Sequence, residues 1–567
     1  MLSLNTSNKA KHHQYFSRKA PLSIQLAKNQ RNNLCFLIVE VGTQITNLQN
    51  YIANAGTGSI SGSFDRAGYI HNLKIRLHND SYQQRLKAGD NENAAVGFRA
   101  INNIANNLER IAELCLDCTY HVNDLLSNDY EFGNEYEKLL DRVALGISLI
   151  ERANQDNNTQ QALKIADIQQ KLSTHCEQLI NQYSKALKSK KHTDDLIAAL
   201  FVLKSIKSMG DALLKICDAT LSRHIGQTIN VDRYYSLSRC VDHLHKNGAS
   251  KNLVLDTIAE TRSGSAISGV SEANKEDIIA IFKEGEKQKL KEECQSVERW
   301  HEIYPGIAPR ILSYQKKGQS AALLIEHLAG NTFENILLQG SDKLQNKSLK
   351  KLTLTLANIW QKTLKKNSVN AQYIQQLQKR IADVYAIHPS FQQQHSRIAS
   401  INIPSFFELL DQAHKLEQSL PAPFSVYIHG DFNTDNIIYD IQHNKINFID
   451  LHRSCFMDYV QDISVFMVSN YRLKALDQVH KQRVLQVNLA IYLFAAKFAQ
   501  QHNDDTFELR LALGLARSLA SSTRFTLDKT LAKAMFYRSR LLLEQVLNLN
   551  TKQKANYRAP IKEIFVG

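Results

Sequence analysis

Apolar side chains in the first half of the chain recur at the spacing of one helix face. Eight of them alternate at intervals of three and four: Ile101, Ile104, Leu108, Ile111, Cys115, Cys118, Val122 and Leu125. This spacing predicts a long helix whose apolar stripe packs inside a bundle. A second stripe repeats the spacing about a hundred residues later: Ala199, Leu203, Ile206, Gly210, Leu213, Cys217 and Thr220. The repetition indicates an internal repeat of two helical bundles.

The distribution of proline also favours helices in this half. No proline lies between Pro21 and Pro305. Because proline lacks an N–H and clashes with the preceding turn of a helix, so long a stretch without it is typical of helical structure. We therefore predict a polar tail over residues 1–29 and an all-α bundle region over residues 30–245.

Short apolar runs in the second half predict β-strands. Three of them lie close together, over Val426–Ile428, Ile437–Tyr439 and Ile446–Ile449, with a polar turn over 440–445 between the last two. Runs of this length bounded by polar residues are typical of short buried strands. The pattern predicts a strand, a loop and then a hairpin.

Polar residues follow these strands at fixed intervals. His429, Gly430 and Asp431 come after the first strand, Asn436 lies five residues after Asp431, and Asp450 ends the last strand. This order is the layout of a kinase catalytic loop. Phosphoryl transfer needs a base beside the attacking hydroxyl and oxygen ligands that hold Mg²⁺ on the phosphates. Asp431 fits the base, and Asn436 and Asp450 fit the metal ligands.

The motif H-G-D-x-x-x-x-N resembles that of the aminoglycoside phosphotransferase/choline kinase family. The resemblance implies an α+β, protein-kinase-like bilobal fold and ATP-dependent phosphorylation of a small-molecule hydroxyl. It implies catalytic roles for Asp431 and His429, with His429 holding the loop shape, and Mg²⁺ binding by Asn436 and Asp450. Two later acids match the family as well, with helix capping and bracing of the loop as alternatives to a direct role: Asp458 and Asp462.

Upstream residues match the parts of such a fold that hold the nucleotide. Lys283 ends the β-like run 278–282 and is the type of residue that reaches the α- and β-phosphates. Glu293 opens a helical stretch ten residues later, as the glutamate that pairs with such a lysine does, with Glu292 as the alternative. Glu326 and Leu328 follow a strand and look like the adenine hinge of the family.

The predicted borders of this half follow from these motifs. We place a small lobe over 246–330, a large lobe over 331–550 and a C-terminal tail over 551–567. The segment Ser263–Gly269 is either a flexible loop over the phosphates or a linker between domains. Residues 351–420 are predicted to be helical and to form the substrate face, without an acidic cluster dense enough for a polycationic aminoglycoside.

The helical half resembles the PhoU family of phosphate-uptake regulators over roughly residues 30–245. That family carries two three-helix bundles, each with an acidic motif that binds metal clusters. Glu109 and Glu113 match the spacing of the motif, with a solvated acidic face as the alternative. In the second repeat Lys207 replaces the first acid and leaves Asp211, so a metal site is not expected there.

Composition narrows the classes of partner and compartment. The chain has 69 Lys and Arg against 55 Asp and Glu, a formal net charge of +14, which favours anionic partners such as nucleotides. The basic residues are scattered and match no nucleic-acid motif, so we expect no nucleic-acid partner. The pair Cys115 and Cys118 lies on the apolar stripe, which indicates packing rather than zinc or redox chemistry. Without an apolar run of about 20 residues or a signal peptide, we expect a cytoplasmic protein with no membrane span.

The sequence therefore predicts a phosphotransferase with an alcohol group as acceptor, using ATP and Mg²⁺, fused to a PhoU-like regulatory or docking module. Its expected partners are a small-molecule hydroxyl acceptor and a protein bound through the helical module. The alternative is a phosphate-signalling regulator that binds nucleotide without turnover. A protein kinase fits less well, because H-G-D stands where H-R-D is usual and no A-P-E follows Asp450.

Overall fold

A computed structural model describes most of the chain. The described residues are 28–53, 66–88, 92–126, 134–155, 159–189, 191–246, 253–260, 266–272, 278–317, 320–473 and 477–565. They group into two compact units. The first unit comprises Met1–Glu284 with Ser313–Leu324, and the second comprises Gly285–Leu312 with Ile325–Gly567.

Seven helices of the described residues form most of the first unit: α1 (Lys28–Ala53), α2 (Ala67–Ala88), α3 (Glu92–Leu126), α4 (Asn134–Gln155), α5 (Thr159–Ala186), α6 (Thr193–Ile225) and α7 (Val231–Lys246). The two predicted stripes lie on α3 and α6, which pack against each other. Every residue of both stripes is buried. The prediction of a helical first half is confirmed, and the predicted tail over 1–29 lies almost wholly outside the described residues.

The two cysteines of α3 belong to its buried stripe. Cys115 and Cys118 are almost inaccessible to solvent. Burial raises the pKa of Cys118 to about 12 and also raises the pKa of Cys115, so both thiols stay protonated and unreactive. The packing interpretation is confirmed. Among the described residues, no group of three or more His, Cys, Asp or Glu side chains is placed to hold a metal ion.

The acidic pair that resembles a metal motif is bound to cations of the protein. Glu109 accepts hydrogen bonds from Lys74 Nζ at 2.6 Å and from His71 Nδ1 at 3.0 Å. Glu113 pairs with Arg110 on the same helix at 2.9 Å. These contacts satisfy both carboxylates without a metal ion.

A five-stranded sheet adjoins these helices in the chain. Its strands are β1 (Leu253–Glu260), β2 (Ala266–Glu272), β3 (Ile278–Glu286), β4 (Ile311–Lys317) and β5 (Ser320–Glu326), in the spatial order β1-β2-β3-β5-β4. Apart from the ends of β3, β4 and β5, the sheet belongs to the first unit. Of the predicted phosphate loop, Ser263–Ser265 lie outside the described residues and Ala266–Gly269 belong to β2.

The second unit is mainly helical. Its helices are α8 (Lys287–Ile303), α9 (Phe333–Gln339), α10 (Asp342–Thr363), α11 (Tyr373–Gln378), α12 (Ile381–Ile387), α13 (Phe406–Gln418), α14 (Val460–Tyr471), α15 (Gln478–Gln501), α16 (Phe507–Ser522), α17 (Lys529–Leu547), α18 (Thr551–Asn556) and α19 (Ile561–Phe565). Its short strands are β6 (Asn331–Thr332), β7 (Ser396–Ile398), β8 (Ile401–Ile403), β9 (Val426–Ile428), β10 (Ile437–Asp440), β11 (Lys445–Phe448) and β12 (Cys455–Met457). The small sheets pair β11-β10-β6, β12-β9 and β7-β8.

The helical prediction for 351–420 is wrong in two segments: residues 364–372 are irregular, and a hairpin lies between α12 and α13. β7 and β8 form an antiparallel hairpin there, because Ile398 and Ile401 flank a tight turn that Ala399 enters with φ of +53°. The chain end also differs from the expected tail. Ile561, Ile564 and Phe565 of α19 are buried, since their apolar side chains pack into the core of the second unit.

Aromatic side chains fill the core beneath the strands of the predicted loop. Trp300 of α8 meets the rings of Tyr427 and Phe448 edge to face, with centroids 5.0 and 5.5 Å apart. Tyr427 belongs to β9, which precedes the loop, and Phe448 to β11, which precedes Asp450, so one indole contacts both strands. Such edge contacts contribute about 0.5–1.5 kcal/mol each beyond the burial of area.

The buried state of α3 predicts the reactivity of its thiols. We expect Ellman's reagent to leave Cys118 unmodified in the native protein and to label it only after unfolding in guanidinium, because the thiolate is absent from the buried stripe. Peptide mapping by mass spectrometry identifies the labelled residue, and Cys35, which is partly exposed, is the internal control. Rapid native labelling of Cys118 would show that the stripe opens.

Candidate active site

The loop predicted from the H-G-D motif lies between β9 and β10. The β10/β11 hairpin pairs Ile437 with Phe448 and Asp440 with Lys445, and it returns the chain toward the loop. The Ile449 N–H donates to the Asn436 carbonyl at 3.1 Å, which ties the residue before Asp450 to the end of the loop. The predicted order of strand, loop and hairpin is confirmed.

Asp431 and Asn436 are held together by the loop itself. The Asn436 side-chain amide donates to the Asp431 carbonyl oxygen at 2.9 Å. Since that bond uses the amide nitrogen, the amide oxygen is the atom of Asn436 suited to bind a cation. The carboxylate of Asp431 accepts from the Asn433 side chain at 2.8 Å and pairs with Arg453 at 3.1 Å.

Asp450 has a backbone conformation that is unusual for a residue with a side chain. Its φ is +62°, in the left-handed region, which costs a non-glycine residue of order 1–3 kcal/mol. Strain of this kind persists where the surrounding structure fixes it, and it is most common at functional sites. The carboxylate is 40% exposed and lies 3.4 Å from His452 Nδ1. Asp450 therefore presents an accessible oxygen donor beside the loop.

His429 is completely buried and bonded through both ring nitrogens. Nε2 donates to the Ile449 carbonyl at 2.9 Å, and Nδ1 accepts the Asp431 N–H at 3.3 Å. Burial lowers the pKa of His429, which favours the neutral ring that this pattern requires. The ring thus links the start of the loop to the residue before Asp450. These are the contacts of a positioning residue, and a catalytic role for His429 stays a prediction.

Asp462 of α14 braces the loop from below. Its two carboxylate oxygens accept the N–H groups of His429 at 2.7 Å and Gly430 at 2.9 Å. Burial raises the pKa of Asp462 to about 7, although these two hydrogen bonds oppose the rise. The bracing alternative is confirmed for this residue.

Asp458 serves a different part of the unit. It accepts the Tyr373 hydroxyl at 2.9 Å and the Val460 N–H at 3.1 Å, at the start of α14. It also forms a buried ion pair with Arg510, which pairs in turn with Asp504. Asp458 therefore stabilises the packing of α14 and α16.

Gly430 has no room for a side chain. Its φ is +83°, and a Cβ built there would lie 2.2 Å from the carbonyl oxygen of Arg453. The segment after Asp450 therefore packs directly on the backbone of the loop. Ser454 adds a hydrogen bond from its hydroxyl to the His429 carbonyl at 3.2 Å, and it accepts the Trp300 indole N–H at 2.9 Å.

The residues predicted to hold the phosphates lie in different units. Lys283, on β3, is 8% exposed, and Glu293, on α8, is 4% exposed. Glu292 accepts a hydrogen bond from Gln288 near the surface of α8, which favours Glu293 as the inward-facing acid. The pairing of Lys283 with Glu293 stays a prediction.

The predicted hinge begins where β5 ends. The Glu326 carboxylate takes two parallel hydrogen bonds from the Arg310 guanidinium, each at 3.1 Å, and these bonds lower the pKa of Glu326. Leu328 lies in the irregular segment that follows and is half-buried. The side chain of Glu326 is thus engaged within the protein, and the backbone of this segment is the part suited to meet a base.

Sequence reasoning missed the contacts that come from outside the motif. Arg453 and Ser454 follow Asp450 closely, but nothing in their residue types indicates that they touch Asp431 and His429. Trp300 lies more than a hundred residues earlier and reaches the loop only through the fold. The sequence contains one indication of these contacts: Gly430 has no side chain, which implies that another group packs closely on it but does not identify that group.

A protein-family model matches the part of the chain that contains this loop. Residues 291–486 match the model of the phosphotransferase enzyme family, a span that contains the loop and Asp450. A comparison with curated proteins finds no match.

Similar solved structures are small-molecule kinases at low identity. One is an ethanolamine kinase of Plasmodium vivax, 13% identical, covering 58% of this chain and 92% of its own, with a TM-score of 0.34. A second is a choline kinase from Cryptosporidium parvum, 14% identical, covering 53% and 93%, with a TM-score of 0.34. A third is an aminoglycoside-3'-phosphotransferase of type VIII, 15% identical, covering 50% and 98%, with a TM-score of 0.31.

Substituting two glycines in the left-handed region distinguishes two costs of adding a side chain: backbone strain and steric contact. Gly306 has φ of +79°, but a Cβ there meets only the flexible end of Lys445 at 3.1 Å. We expect Gly306→Ala to lose about 1–2 kcal/mol in the free energy of unfolding. Gly430→Ala should lose clearly more, because it pays the same conformational cost and also meets backbone. Guanidinium unfolding of both variants measures the difference, and equal losses would contradict the close packing on Gly430.

The buried carboxylate predicts a pH dependence of stability. From about pH 4, the ordinary pKa of aspartate, to about pH 7, the unfolded chain ionises Asp462 while the native chain keeps its proton. Stability should therefore fall as the pH rises through this window. We expect Asp462→Asn to lose this part of the decline in unfolding curves recorded at pH 5 and pH 8. The exposed control Asp505→Asn should keep the wild-type decline, and a matching decline in Asp462→Asn would refute the assignment.

Proposed function

We propose that this protein is an ATP-dependent phosphotransferase that moves the γ-phosphoryl group to a hydroxyl of a small molecule. The observation that carries the proposal is the bonded path through the loop. It runs from the Asp431 carbonyl to the Asn436 side chain, and from the Asn436 carbonyl to Ile449, the neighbour of Asp450. The match of residues 291–486 to the phosphotransferase enzyme family supports the same reaction class.

Asp431 is the proposed base. It accepts the proton of the acceptor hydroxyl while the hydroxyl oxygen forms a bond to the γ-phosphorus and the bond from that phosphorus to the bridging oxygen breaks. The products are ADP and a phosphate monoester. The Asn433 and Arg453 contacts hold the Asp431 carboxylate in place, and this orientation supplies the larger part of the rate gain in such reactions.

Asn436 and Asp450 are the proposed ligands of Mg²⁺. The chemistry of the donors fits, because an amide oxygen and a carboxylate are hard oxygen ligands and Mg²⁺ uses one or two carboxylates plus phosphate oxygens. When bound, the ion neutralises charge on the phosphates. The left-handed backbone of Asp450 supports this assignment, since strained conformations of this kind are most common at functional sites.

The nucleotide contacts are assigned from the sequence pattern. Lys283 is proposed to bind the phosphates with Glu293 as its partner, and the segment of Glu326 and Leu328 to meet adenine. The burial of Lys283 and Glu293 supports functional use, because such charges are seldom buried without a partner. The family model begins at residue 291, so it contains Glu293, Glu326 and Leu328 but not Lys283.

The helices α1 to α7 are proposed to be a regulatory or docking module similar to PhoU. Among the described residues, α1 to α6 form two successive sets of three helices, each ending in a stripe-bearing helix, and this order supports the resemblance. We do not assign metal binding to Glu109 and Glu113, because Lys74 and His71 contact the first carboxylate and Arg110 pairs with the second. Among the described helices, none is long and apolar enough to cross a bilayer.

Two variants of the loop test the proposed roles. We expect a titration of wild type with ATP to raise the melting temperature only when Mg²⁺ is present. Asp450→Ala should lose this Mg²⁺-dependent rise, because it removes the carboxylate ligand. Asp431→Ala should keep the rise but lose phosphotransfer by about 10²–10⁴-fold, the usual contribution of a general base. The exposed control Asp505→Ala should match wild type in both assays.

The outcomes separate the proposal from its alternatives. A wild-type protein that shows no shift at millimolar Mg·ATP would rule out the nucleotide site. An active Asp431→Ala protein would remove the base from the mechanism. A shift without turnover on any hydroxyl acceptor would favour a regulator that binds nucleotide without transfer.

A further inference from the structure

A buried arginine lies in the region of the proposed base without hydrogen-bond partners for part of its guanidinium. Arg517, on α16, is 6% exposed, and neither its Nε nor its Nη2 has a partner among the described residues. Its charge lies over the ring of Tyr373, 5.6 Å from the centroid, and it interacts electrostatically with Asp431. Burial lowers the pKa of Arg517 to about 10, which still leaves the group charged near neutrality. Unused donors on a buried cation are costly, so they imply a partner that binds there.

Two more arginines are linked with this group through the interactions of their charges. Arg380 directly precedes α12 and is half-buried, and Arg524 lies in the turn after α16. Arg524 pairs with Asp383 of α12 at 3.3 Å, while its buried Nε has no partner. The His388 ring contacts the carbonyls of Thr523 and Thr526 at 3.0 and 2.9 Å, which fixes this turn against α12.

Electrostatic interactions link these arginines with Arg453, and both Arg380 and Arg517 also interact with Asp431. The charges of Arg524 and Arg453 both act on Arg380, and those of Arg380 and Arg453 both act on Arg517. Arg380 and Arg517 form no ion pair among the described residues, whereas Arg453 and Arg524 pair with Asp431 and Asp383. We name the group of Arg380, Arg453, Arg517 and Arg524 the arginine cluster.

The acids packed around the cluster do not supply a full set of countercharges. Asp458 is already paired with Arg510. Burial raises the pKa of Asp462 and of Glu417 to about 7, so each is partly protonated near neutral pH. The cluster therefore gives the surroundings of the proposed base an excess of positive charge, with directed donors that a carboxylate or phosphate would satisfy.

We propose that the acceptor is an anionic alcohol, a small molecule that carries a phosphate or carboxylate group beside the hydroxyl to be phosphorylated. This inference rests on the proposed function and names its substrate class. The anionic group binds the arginine cluster, and the hydroxyl is thereby presented to Asp431. A cationic amino alcohol would meet repulsion from the same cluster, so the charge selects against it.

Binding of inorganic phosphate to the full-length protein tests the anion site without turnover. We expect calorimetric titration to detect binding by wild type, and a loss of about tenfold or more in affinity in Arg380→Gln and in Arg524→Gln, the size expected for one charge-assisted hydrogen bond. The matched control Arg397→Gln, an exposed arginine on β7, should bind as wild type does. Lys283→Met is the comparison for the nucleotide position, because phosphate bound there would be lost in this variant and not in the arginine variants.

Acceptor assays test the consequence for the reaction. With Mg·ATP, glycerol 3-phosphate and glycerate should be phosphorylated in preference to glycerol and choline. Arg380→Gln and Arg524→Gln should raise the KM for the anionic acceptors and leave the KM for ATP near that of wild type. A stronger response to glycerol 3-phosphate would identify a phosphate group, and a stronger response to glycerate a carboxylate.

The results that overturn the inference are distinct from those that overturn the phosphotransferase. The proposed anion site would be refuted if both arginine variants still bound phosphate. It would also be refuted if only Lys283→Met abolished phosphate binding. Preferential phosphorylation of choline or glycerol would likewise refute it. Loss of the Mg·ATP response in wild type, with arginine-dependent phosphate binding intact, would instead refute the transfer reaction and leave an anion-binding site.

Discussion

The carboxylate of Asp462 accepts two successive backbone N–H groups of the candidate loop, and the positions of the other site residues follow from that contact. With the N–H groups of His429 and Gly430 bound to Asp462, the imidazole of His429 donates to the carbonyl of Ile449, the residue before Asp450. The packing of Arg453 on Gly430 closes the other side. The two N–H donors stabilise the ionised form of Asp462 and so limit the rise in its pKa that burial causes.

The motif could be predicted because it is local. Asp431, Asn436 and Asp450 lie within twenty residues, so the loop and hairpin that join them fix their relation with little help from the rest of the fold. The helical stripes were predictable for the same reason, since one periodicity sets the buried face of α3. The choice between Glu293 and Glu292 depended on burial, which the sequence does not state. The β7/β8 hairpin was missed because its strands are largely exposed and lack the continuous apolar run that marks β9.

The arginine cluster shows what the sequence could not show. Arg380 and Arg453 are far in sequence from Arg517 and Arg524, and only the fold brings their charges close enough to interact. The positive charges are scattered along the sequence, so the sequence did not indicate that these four arginines lie in one region. The turn at Thr523–Phe525 had no evident role in the sequence, and it acquires one through His388 and Asp383, more than 130 residues earlier.

The bonds from Trp300 through Ser454 to the His429 carbonyl join α8 to the loop. Since α8 also carries Glu293, a rotation of this helix that changed the position of the glutamate would strain the same two hydrogen bonds. If a ligand of the proposed phosphotransferase favoured one position of α8, it would also favour one position of the loop, and by linkage a ligand of the loop would favour that position of α8 to the same extent. The proposed acceptor and nucleotide positions would then be coupled through these two hydrogen bonds.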